Sequence, residues 1–190
     1  MSSTNRGGKR HVSDYYVTPI PVVVKMLHEL RKDCPQALEG WILDPCAGGD
    51  DNTPMSYPTA LKEMGVHPWQ ITTVDIREDS KADIKADYLS WKPPYKYEMI
   101  ITNPPFDQAL EIIEKALTEV VDGGLVVMLL RLNFFGSDKR FSFWQQNMPA
   151  HTYVHYKRIS FTGGPTDSIE YMHCVWQKGL KTCATQLRVI

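Results

Sequence analysis

Short apolar runs alternate with helical stripes along most of this chain, and the alternation constrains the fold more than any other feature of the sequence. Seven runs have the length and composition of strands, at residues 41–44, 71–74, 82–86, 98–102, 125–130, 152–159 and 170–177. Apolar stripes at helical spacing predict helices after residue 18, near 56–64, after 106 and near 139–146. This order predicts an α/β fold with a mainly parallel seven-stranded sheet, helices on both faces and a closing antiparallel hairpin.

Local signals also place the boundaries of two helices. Thr18 is a favourable N-cap and Pro19 suits the first helical position, so the first helix is expected to begin at Pro19. Asp107 is expected to cap the third helix, whose apolar stripe extends through residues 120–121. The glycines at 123–124 are expected to end that helix.

A length of 190 residues corresponds to a single domain. Residues 1–13 are polar and glycine-rich and carry basic residues without an acid, which predicts a flexible basic arm before one domain over 14–190. The longest wholly apolar run, at 125–130, is far shorter than the roughly 20 residues that cross a bilayer. No apolar stretch follows the basic N-terminal residues, so neither a membrane protein nor a secreted one is expected.

The cysteines and histidines do not have the spacing of metal ligands. The four cysteines, at 34, 46, 174 and 183, form no C-x-x-C pair, which is typical of reduced thiols in a cytoplasm. His151 and His155 are four residues apart, but they lie where a predicted turn runs into a strand. We therefore expect a cytoplasmic protein without a metal site.

Polar residues follow four of the predicted strands directly. Asp44, Asp75, Asp87 and Asn103 each stand at or just after the end of an apolar run. Ligands of open α/β sheets bind beyond the carboxyl ends of the strands, so the four side chains are expected to converge on one crevice.

The loop after the first strand, DPCAGG at 44–49, has small residues where a backbone must approach a ligand closely. It lacks a full G-x-G-x-x-G pattern and no P-loop lysine follows it, which argues against a nucleotide-phosphate site. An acid ahead of such a loop suits a positively charged ligand, such as the sulfonium and amino groups of S-adenosylmethionine. Asp75 is then placed to accept the ribose hydroxyls, and Asp87 and Tyr88 to meet the adenine.

The tetrapeptide NPPF at 103–106 is the most informative motif of the chain. Consecutive prolines after an apolar strand keep the backbone out of helical hydrogen bonding. The Asn103 side-chain oxygen and the Pro104 carbonyl can then both accept hydrogens from one exocyclic amino group, which holds its nitrogen in line with a methyl donor. Phe106 is placed to stack on a planar substrate that has been extruded from a helix.

These motifs, together with the pair Ala86 and Asp87, resemble in their order and spacing the amino-methyltransferases. The segment YYVTP at 15–19 resembles the element that opens the DNA adenine-N6 methyltransferases in which the cofactor motifs precede the catalytic one. Segments at 131–134, 160–167 and 175–179 resemble the tail of small phage-type members, so the resemblance covers about residues 14–179.

The resemblance implies a Rossmann-like methyltransferase fold, S-adenosyl-L-methionine as cofactor and a bacterial or phage-infected host cell. Its catalytic loop corresponds to Asn103, Pro104, Pro105 and Phe106. Its cofactor contacts correspond to Thr18, Pro19, Asp44, Pro45, Cys46, Ala47, Gly48, Asp75, Ile76 and Asp87. One departure is Asp50, which stands where the family usually has glycine, and an insertion at 50–57 follows it.

The net charge of −1 does not indicate a nucleic-acid partner, but the charge is unevenly distributed. Residues 131–158 carry five basic residues against one acid, and we expect them to contact DNA phosphates. These five are Arg131, Lys139, Arg140, Lys157 and Arg158. No length remains for a separate target-recognition domain, so the chain is expected to recognise a short site or to take its specificity from a partner subunit or a second copy.

Other substrates and one other class of protein remain open. NPP[YF] motifs also serve methyl transfer to RNA adenine and to protein glutamine, and cytosine N4 is a further acceptor, although serine in place of Asn103 is more usual there. The remaining alternative is an inactive S-adenosylmethionine-binding partner subunit, which the departure at Asp50 favours.

Overall fold

The computed structural model describes residues 16–161 and 168–190, and its centre is a sheet of eight strands. They are β1 (Ile42–Asp44), β2 (Ile71–Asp75), β3 (Ile84–Lys85), β4 (Tyr97–Thr102), β5 (Val120–Arg131), β6 (His151–Val154), β7 (Tyr171–Gln177) and β8 (Gln186–Val189). Their order across the sheet is β3-β2-β1-β4-β5-β7-β6-β8. Only β7 runs against its neighbours, so β6 and β7 form the predicted antiparallel pair.

Four α-helices cover the two faces of the sheet: α1 (Ile20–Asp33), α2 (Ser56–Glu63), α3 (Ala109–Glu119) and α4 (Phe141–Gln146). Buried residues alternate between the faces, as strand geometry requires. Ile42 and Met99 pack in the core that includes α1 and α2, whereas Leu43 and Ile100 pack in the core that includes α3 and α4. The predicted α/β class and helices on both faces are therefore confirmed.

The predicted number of seven strands is wrong, because β8 adds an eighth at the edge beside β6. Most of its side chains are exposed, and Leu187 and Val189 keep more than half of their surface accessible, so no buried pattern marks the strand in the sequence. Arg188 ties the strand to the end of α1 through ion pairs with Asp33 and Glu29.

Residues 120–121 belong to β5 and not to the preceding helix, which corrects the predicted helix end. Val120 pairs with Tyr97 of β4, and the register shifts before the next pair, Met99 and Leu125. Gly124 lies within this irregular stretch, where a Cβ atom would come within 2.8 Å of the Val121 carbonyl oxygen. The same Cβ would lie 3.0 Å from the Glu98 carbonyl oxygen of β4, so Gly124 permits close strand pairing here, and residues 123–124 do not end a helix.

The predicted helix caps are also wrong. Helix α1 begins at Ile20, with Pro19 before it, and the Thr18 hydroxyl accepts a hydrogen bond from Asn103 instead of capping the helix. Helix α3 follows Gln108 without a side-chain cap, so Asp107 does not serve as one. In both cases the segment before the helix forms part of a cavity wall.

The predicted basic arm at 1–13 and the motif residues at 162–167 lie outside the described residues. Within the described part of the chain, no helix has both the length and the apolar composition needed to cross a membrane.

Candidate functional site

A cavity of about 540 Å³ opens at the carboxyl edge of the parallel strands. The loops after β1, β2, β3 and β4 meet there, together with the segment before α1 and the end of β5. Thirteen of the predicted site residues line it: Thr18, Pro45, Cys46, Ala47, Asp75, Ile76, Asp87, Tyr88, Asn103, Pro104, Pro105, Phe106 and Arg131. Three of the four strand-end side chains expected to converge, Asp75, Asp87 and Asn103, therefore meet at the cavity, and Asp44 does not line it.

Asp44 lies behind this wall and not in it. Its side chain is fully buried, its Oδ1 accepts the Cys46 amide hydrogen at 3.2 Å, and its Oδ2 has no partner among the described residues. Burial raises the pKa of Asp44 to about 7, and the nearby Asp75 carboxylate contributes in the same direction. The loop after β1 therefore covers an acid that makes no ion pair within residues 16–161 and 168–190.

Asp75 connects two loops at the floor of the cavity. Its Oδ2 accepts the amide hydrogen of Gly48 at 2.7 Å, and its Oδ1 accepts that of Arg77 at 2.8 Å. Gly48, a predicted cofactor residue, is outside the cavity lining and has a positive φ of 63°, which points its amide toward Asp75. The carboxylate is buried yet still borders the cavity, so its free lone pairs remain available to a ligand.

Asp50 is directed into its own loop. Its Oδ1 accepts the Asn52 amide hydrogen at 2.8 Å, its backbone amide donates to the Thr53 carbonyl, and its Oδ2 lies 4.0 Å from the Arg77 guanidinium. Asp50 is not among the residues that line the cavity. The departure from the family pattern thus shapes the loop without placing a carboxylate in the cavity.

The far wall of the cavity combines an apolar surface with an acid. Ile76 keeps 64% of its surface exposed although it is a large apolar residue, and Asp87 is exposed nearby with its Oδ1 accepting the Leu89 amide hydrogen. Tyr88 borders the cavity only with its ring, because its hydroxyl donates to Glu119 at 2.6 Å. The ring of Tyr88, which is predicted to meet the adenine ring, therefore faces the cavity while its hydroxyl bonds to α3.

The Asn103 carboxamide is hydrogen-bonded through its nitrogen and not through its oxygen within the described residues. Its Nδ2 donates to the Tyr16 carbonyl at 3.1 Å and to the Thr18 hydroxyl at 3.2 Å. Its Oδ1 is buried and accepts no hydrogen bond from any described residue. A buried acceptor without a donor costs free energy, so Asn103 presents a group that a donor in the cavity would satisfy.

Aromatic rings surround the end of the NPPF loop. The Phe106 ring lies 6.1 Å from that of Tyr16 and 5.7 Å from that of Tyr171, between ring centroids. The Arg131 guanidinium lies 4.4 Å from the Phe106 centroid, within the range of a cation–π contact, and the Arg131 Nε has no partner among the described residues. The structure therefore places Arg131, predicted as a phosphate contact, inside the cavity.

The other four predicted nucleic-acid residues lie outside the cavity lining. Lys139 and Lys157 are exposed, whereas the Arg158 guanidinium pairs with Glu170 at 2.9 Å. Arg140 donates to the Phe134 carbonyl and lies over the Phe134 ring. No group of three or more histidines, cysteines or acids arranged to hold a metal occurs in the described ranges.

Two aromatic residues and one cation of the site are not among the predicted site residues. Tyr16, Tyr57 and Arg77 all line the cavity. Tyr57 lies in a predicted helix, and nothing in the sequence indicates its contact with His173. Arg77 follows Asp75 by two positions and belongs to no motif. Pro19, by contrast, was predicted as a cofactor contact and does not line the cavity.

No family model and no curated protein matches the chain significantly, but solved structures do. A protein of Listeria monocytogenes assigned to the class I S-adenosylmethionine-dependent methyltransferases has a TM-score of 0.66 at 13% identity, over 96% of this chain and 68% of that one. The M protein of the type I restriction enzyme EcoKI also has a TM-score of 0.66, at 14% identity, over 94% of this chain and 49% of that one. The N-methyltransferase NodS of Bradyrhizobium japonicum WM9, in complex with S-adenosyl-L-homocysteine, has a TM-score of 0.54 at 10% identity, over 86% of this chain and 89% of that one.

The EcoKI M protein is about twice as long as this chain, since the match covers only 49% of it. At identities of 10–14% these likenesses concern the fold alone. The chain has the Rossmann-like fold of the class I methyltransferases.

Proposed function

We propose that this chain is a methyltransferase that uses S-adenosylmethionine to methylate the N6 amino group of adenine in DNA. The observation that carries the proposal is the buried, unpartnered Oδ1 of Asn103 at the wall of a cavity that lies beyond the strand ends. The site is built to bind an N–H donor, and an exocyclic amino group is such a donor. Likenesses to an N-methyltransferase with its bound product and to a DNA-modifying M protein support the reaction class.

The residues on the other side of the cavity fit the cofactor. The Asp75 carboxylate at the cavity suits a ligand with sulfonium and amino cations, and its lone pairs suit paired ribose hydroxyls. The exposed apolar side chain of Ile76 offers a surface for a purine ring. When bound, S-adenosylmethionine supplies a methyl group whose bond to sulfur breaks as its bond to nitrogen forms.

Asn103 would orient the acceptor amine. One amine hydrogen would be donated to Oδ1 and the other to the Pro104 carbonyl, which favours a pyramidal nitrogen with its lone pair toward the methyl group. The methylated nitrogen then loses one proton to water, so that the product is neutral N6-methyladenine. Phe106 would stack on the extruded base. The base would then either displace the Arg131 guanidinium from the Phe106 ring or lie beside it on that ring.

The test is transfer of a labelled methyl group from S-adenosylmethionine to mixed DNA, RNA and protein pools. We expect N6-methyladenine in DNA, and a loss of at least roughly 100-fold for Asn103→Ala with S-adenosylhomocysteine binding retained. Asn147→Ala is the matched control, because the Asn147 side chain donates to the Phe143 carbonyl of α4 and lies outside the cavity lining. Label in RNA, in cytosine or in protein would show that the substrate is not adenine in DNA. Binding of the cofactor without any methyl transfer would indicate the inactive subunit.

A further inference from the structure

The contact between Arg131 and Phe106 lies at the end of the cavity where the substrate base is expected. Arg131 is the last residue of β5, and its backbone pairs with that of Tyr171 on β7, so any movement is confined to its side chain. Its guanidinium carbon lies 4.4 Å from the centroid of the Phe106 ring. A planar base that stacks on Phe106 needs a face of this ring, and the guanidinium covers one.

A second pair of arginine and phenylalanine shows what the first pair lacks. The Arg140 guanidinium lies 4.2 Å from the Phe134 centroid, and the Arg140 Nε also donates to the Phe134 carbonyl oxygen at 2.7 Å. The Nε of Arg131 is buried and has no acceptor among the described residues. A buried donor without an acceptor costs free energy, so the Arg131 guanidinium is displaced from its ring more easily than that of Arg140.

The charge of Arg131 is also uncompensated. Three acids line the same cavity, yet Arg131 forms no ion pair within residues 16–161 and 168–190. A guanidinium presents a planar set of donors that matches the oxygens of a phosphate group. A nucleotide in the cavity carries both groups that fit this pair, because its base can stack on Phe106 and its phosphate can accept from Arg131.

We propose that the substrate base and the Arg131 guanidinium exchange places on Phe106, and that the displaced guanidinium binds the phosphate of the same nucleotide. The sequence predicts a contact between Arg131 and DNA phosphates, and the exchange makes this contact depend on the base. A duplex whose bases remain stacked gains nothing from Arg131, whereas an extruded nucleotide gains the phosphate contact. The inference rests on the proposed function, since it names a second group of the substrate that this site recognises.

Deoxyadenosine, its 3′- and 5′-monophosphates and inorganic phosphate are the probes that separate base from phosphate. Each is titrated into the protein in the presence of S-adenosylhomocysteine. The 15Nε–1Hε signal of Arg131, identified by its absence in Arg131→Ala, reports the position of the guanidinium, because a proton over an aromatic ring is shifted by the ring current. Phe106→Leu, which removes the ring and keeps an apolar side chain, should move this signal in the ligand-free protein.

We expect all three adenine compounds to move the Arg131 signal, and one of the two monophosphates to bind roughly 10-fold more tightly than deoxyadenosine. Inorganic phosphate should leave the signal in place at the concentration at which that monophosphate saturates. In Arg131→Ala the preference for the monophosphate should disappear, and Arg131→Lys, which keeps the charge without the planar donor set, should retain part of it. Arg31→Ala is the matched control, since it removes an exposed arginine from the last turn of α1, outside the cavity lining, and should keep the full preference.

Three results would overturn the inference. They are equal binding of deoxyadenosine and both monophosphates by the wild type, a preference for the monophosphate that survives in Arg131→Ala, and a shift of the Arg131 signal by inorganic phosphate alone. Transfer of the methyl group to DNA is measured separately, so that the two proposals fail independently. Methyl transfer without a preference for the monophosphate would leave the proposed function intact, whereas the expected preference without methyl transfer to DNA would refute the proposed function and support the exchange.

Discussion

The carboxylate of Asp75 accepts the amide hydrogen of Gly48 at 2.7 Å, so a side chain at the end of β2 holds the loop that follows β1. Its second oxygen accepts the amide hydrogen of Arg77, which fixes the start of the next loop as well. Two walls of the cavity therefore depend on one residue, and any ligand that binds Asp75 meets a group already oriented by two backbone donors.

Replacing Asp75 by asparagine removes the charge and also one of the two acceptor atoms that hold the loops after β1 and β2. An amide has only one acceptor atom, so its NH2 group must face either the Gly48 or the Arg77 amide, and one loop loses its anchor. We expect the affinity for S-adenosylhomocysteine to fall roughly 10- to 100-fold and the free energy of unfolding to fall by about 1–2 kcal/mol. Calorimetry and urea denaturation measure the two effects. Asp138→Asn, at an exposed acid outside the cavity lining, is the control, and equal affinities for the two variants would contradict the role of Asp75.

Gly49 should tolerate a side chain less well than another glycine of similar backbone conformation. Gly49 has a φ of +73°, and an added Cβ would lie 2.7 Å from Met55 Cγ and 3.1 Å from its backbone nitrogen. Gly179 has a φ of +86° with nothing within 4 Å of such an atom. Gly179→Ala should lower the free energy of unfolding by the backbone strain alone, about 1 kcal/mol. Gly49→Ala should lower it by about 1–3 kcal/mol more, as measured by urea denaturation. Equal losses would mean that the loop relaxes around the methyl group.

Asp44 should make the fold less stable as the pH rises. Its folded pKa of about 7 lies above the ordinary value near 4, because burial disfavours the ionised form. Between these values the unfolded chain releases the proton while the folded chain retains it, so the free energy of unfolding decreases, by up to about 4 kcal/mol. Below pH 4 this loss is absent.

The variant Asp44→Asn removes the titration without changing the side-chain shape. We expect it to be more stable than the wild type at pH 8, to lose that advantage toward pH 4, and to bind S-adenosylhomocysteine more weakly. Thermal unfolding across this range provides the measurement, with Asp122→Asn, at an exposed acid within β5, as the control. A wild-type pH dependence retained in Asp44→Asn would show that Asp44 ionises normally in the fold.

Lys157 should contribute more to DNA binding than the adjacent Arg158. Lys157 is exposed, whereas the Arg158 guanidinium is already paired with Glu170 at 2.9 Å. Lys157→Ala is expected to weaken binding about 3- to 10-fold and to reduce the slope of log affinity against log salt by about 1, with a smaller effect for Arg158→Ala. Fluorescence anisotropy at several salt concentrations tests this, with Lys62→Ala on the exposed side of α2 as the control. Identical slopes for all three variants would exclude this surface from the DNA interface.

Periodicity was sufficient to predict the sheet because the central strands are buried on both faces and carry continuous apolar runs. It failed at β8, whose exposed edge position leaves no apolar run, and at residues 120–121, where valines suit both a helix stripe and a strand. The local pattern does not distinguish a helix from a strand at residues 120–121, because the pairing of Val120 with Tyr97 on β4 determines that they form a strand.

The site was predictable where its residues are adjacent in sequence and unpredictable where they are not. The motif loops place Asp75 and Asn103 at the cavity as expected. The contact between Tyr57 and His173 joins residues 116 positions apart, and neither residue lies in a motif that marks the other. The cofactor and DNA roles of the individual motif residues stay predictions.

The position of β7 between β5 and β6 has a consequence for how the chain is made. A ribosome that has translated residue 131 has already produced every residue that lines the cavity. At that stage β5 still has an open edge, because its partner residues 171–177 have not been synthesised. His173 is missing as well, and Arg188 has yet to reach the end of α1. The nascent chain thus carries a complete set of site residues on an unfinished sheet, and β7 is the last element it needs to close that edge.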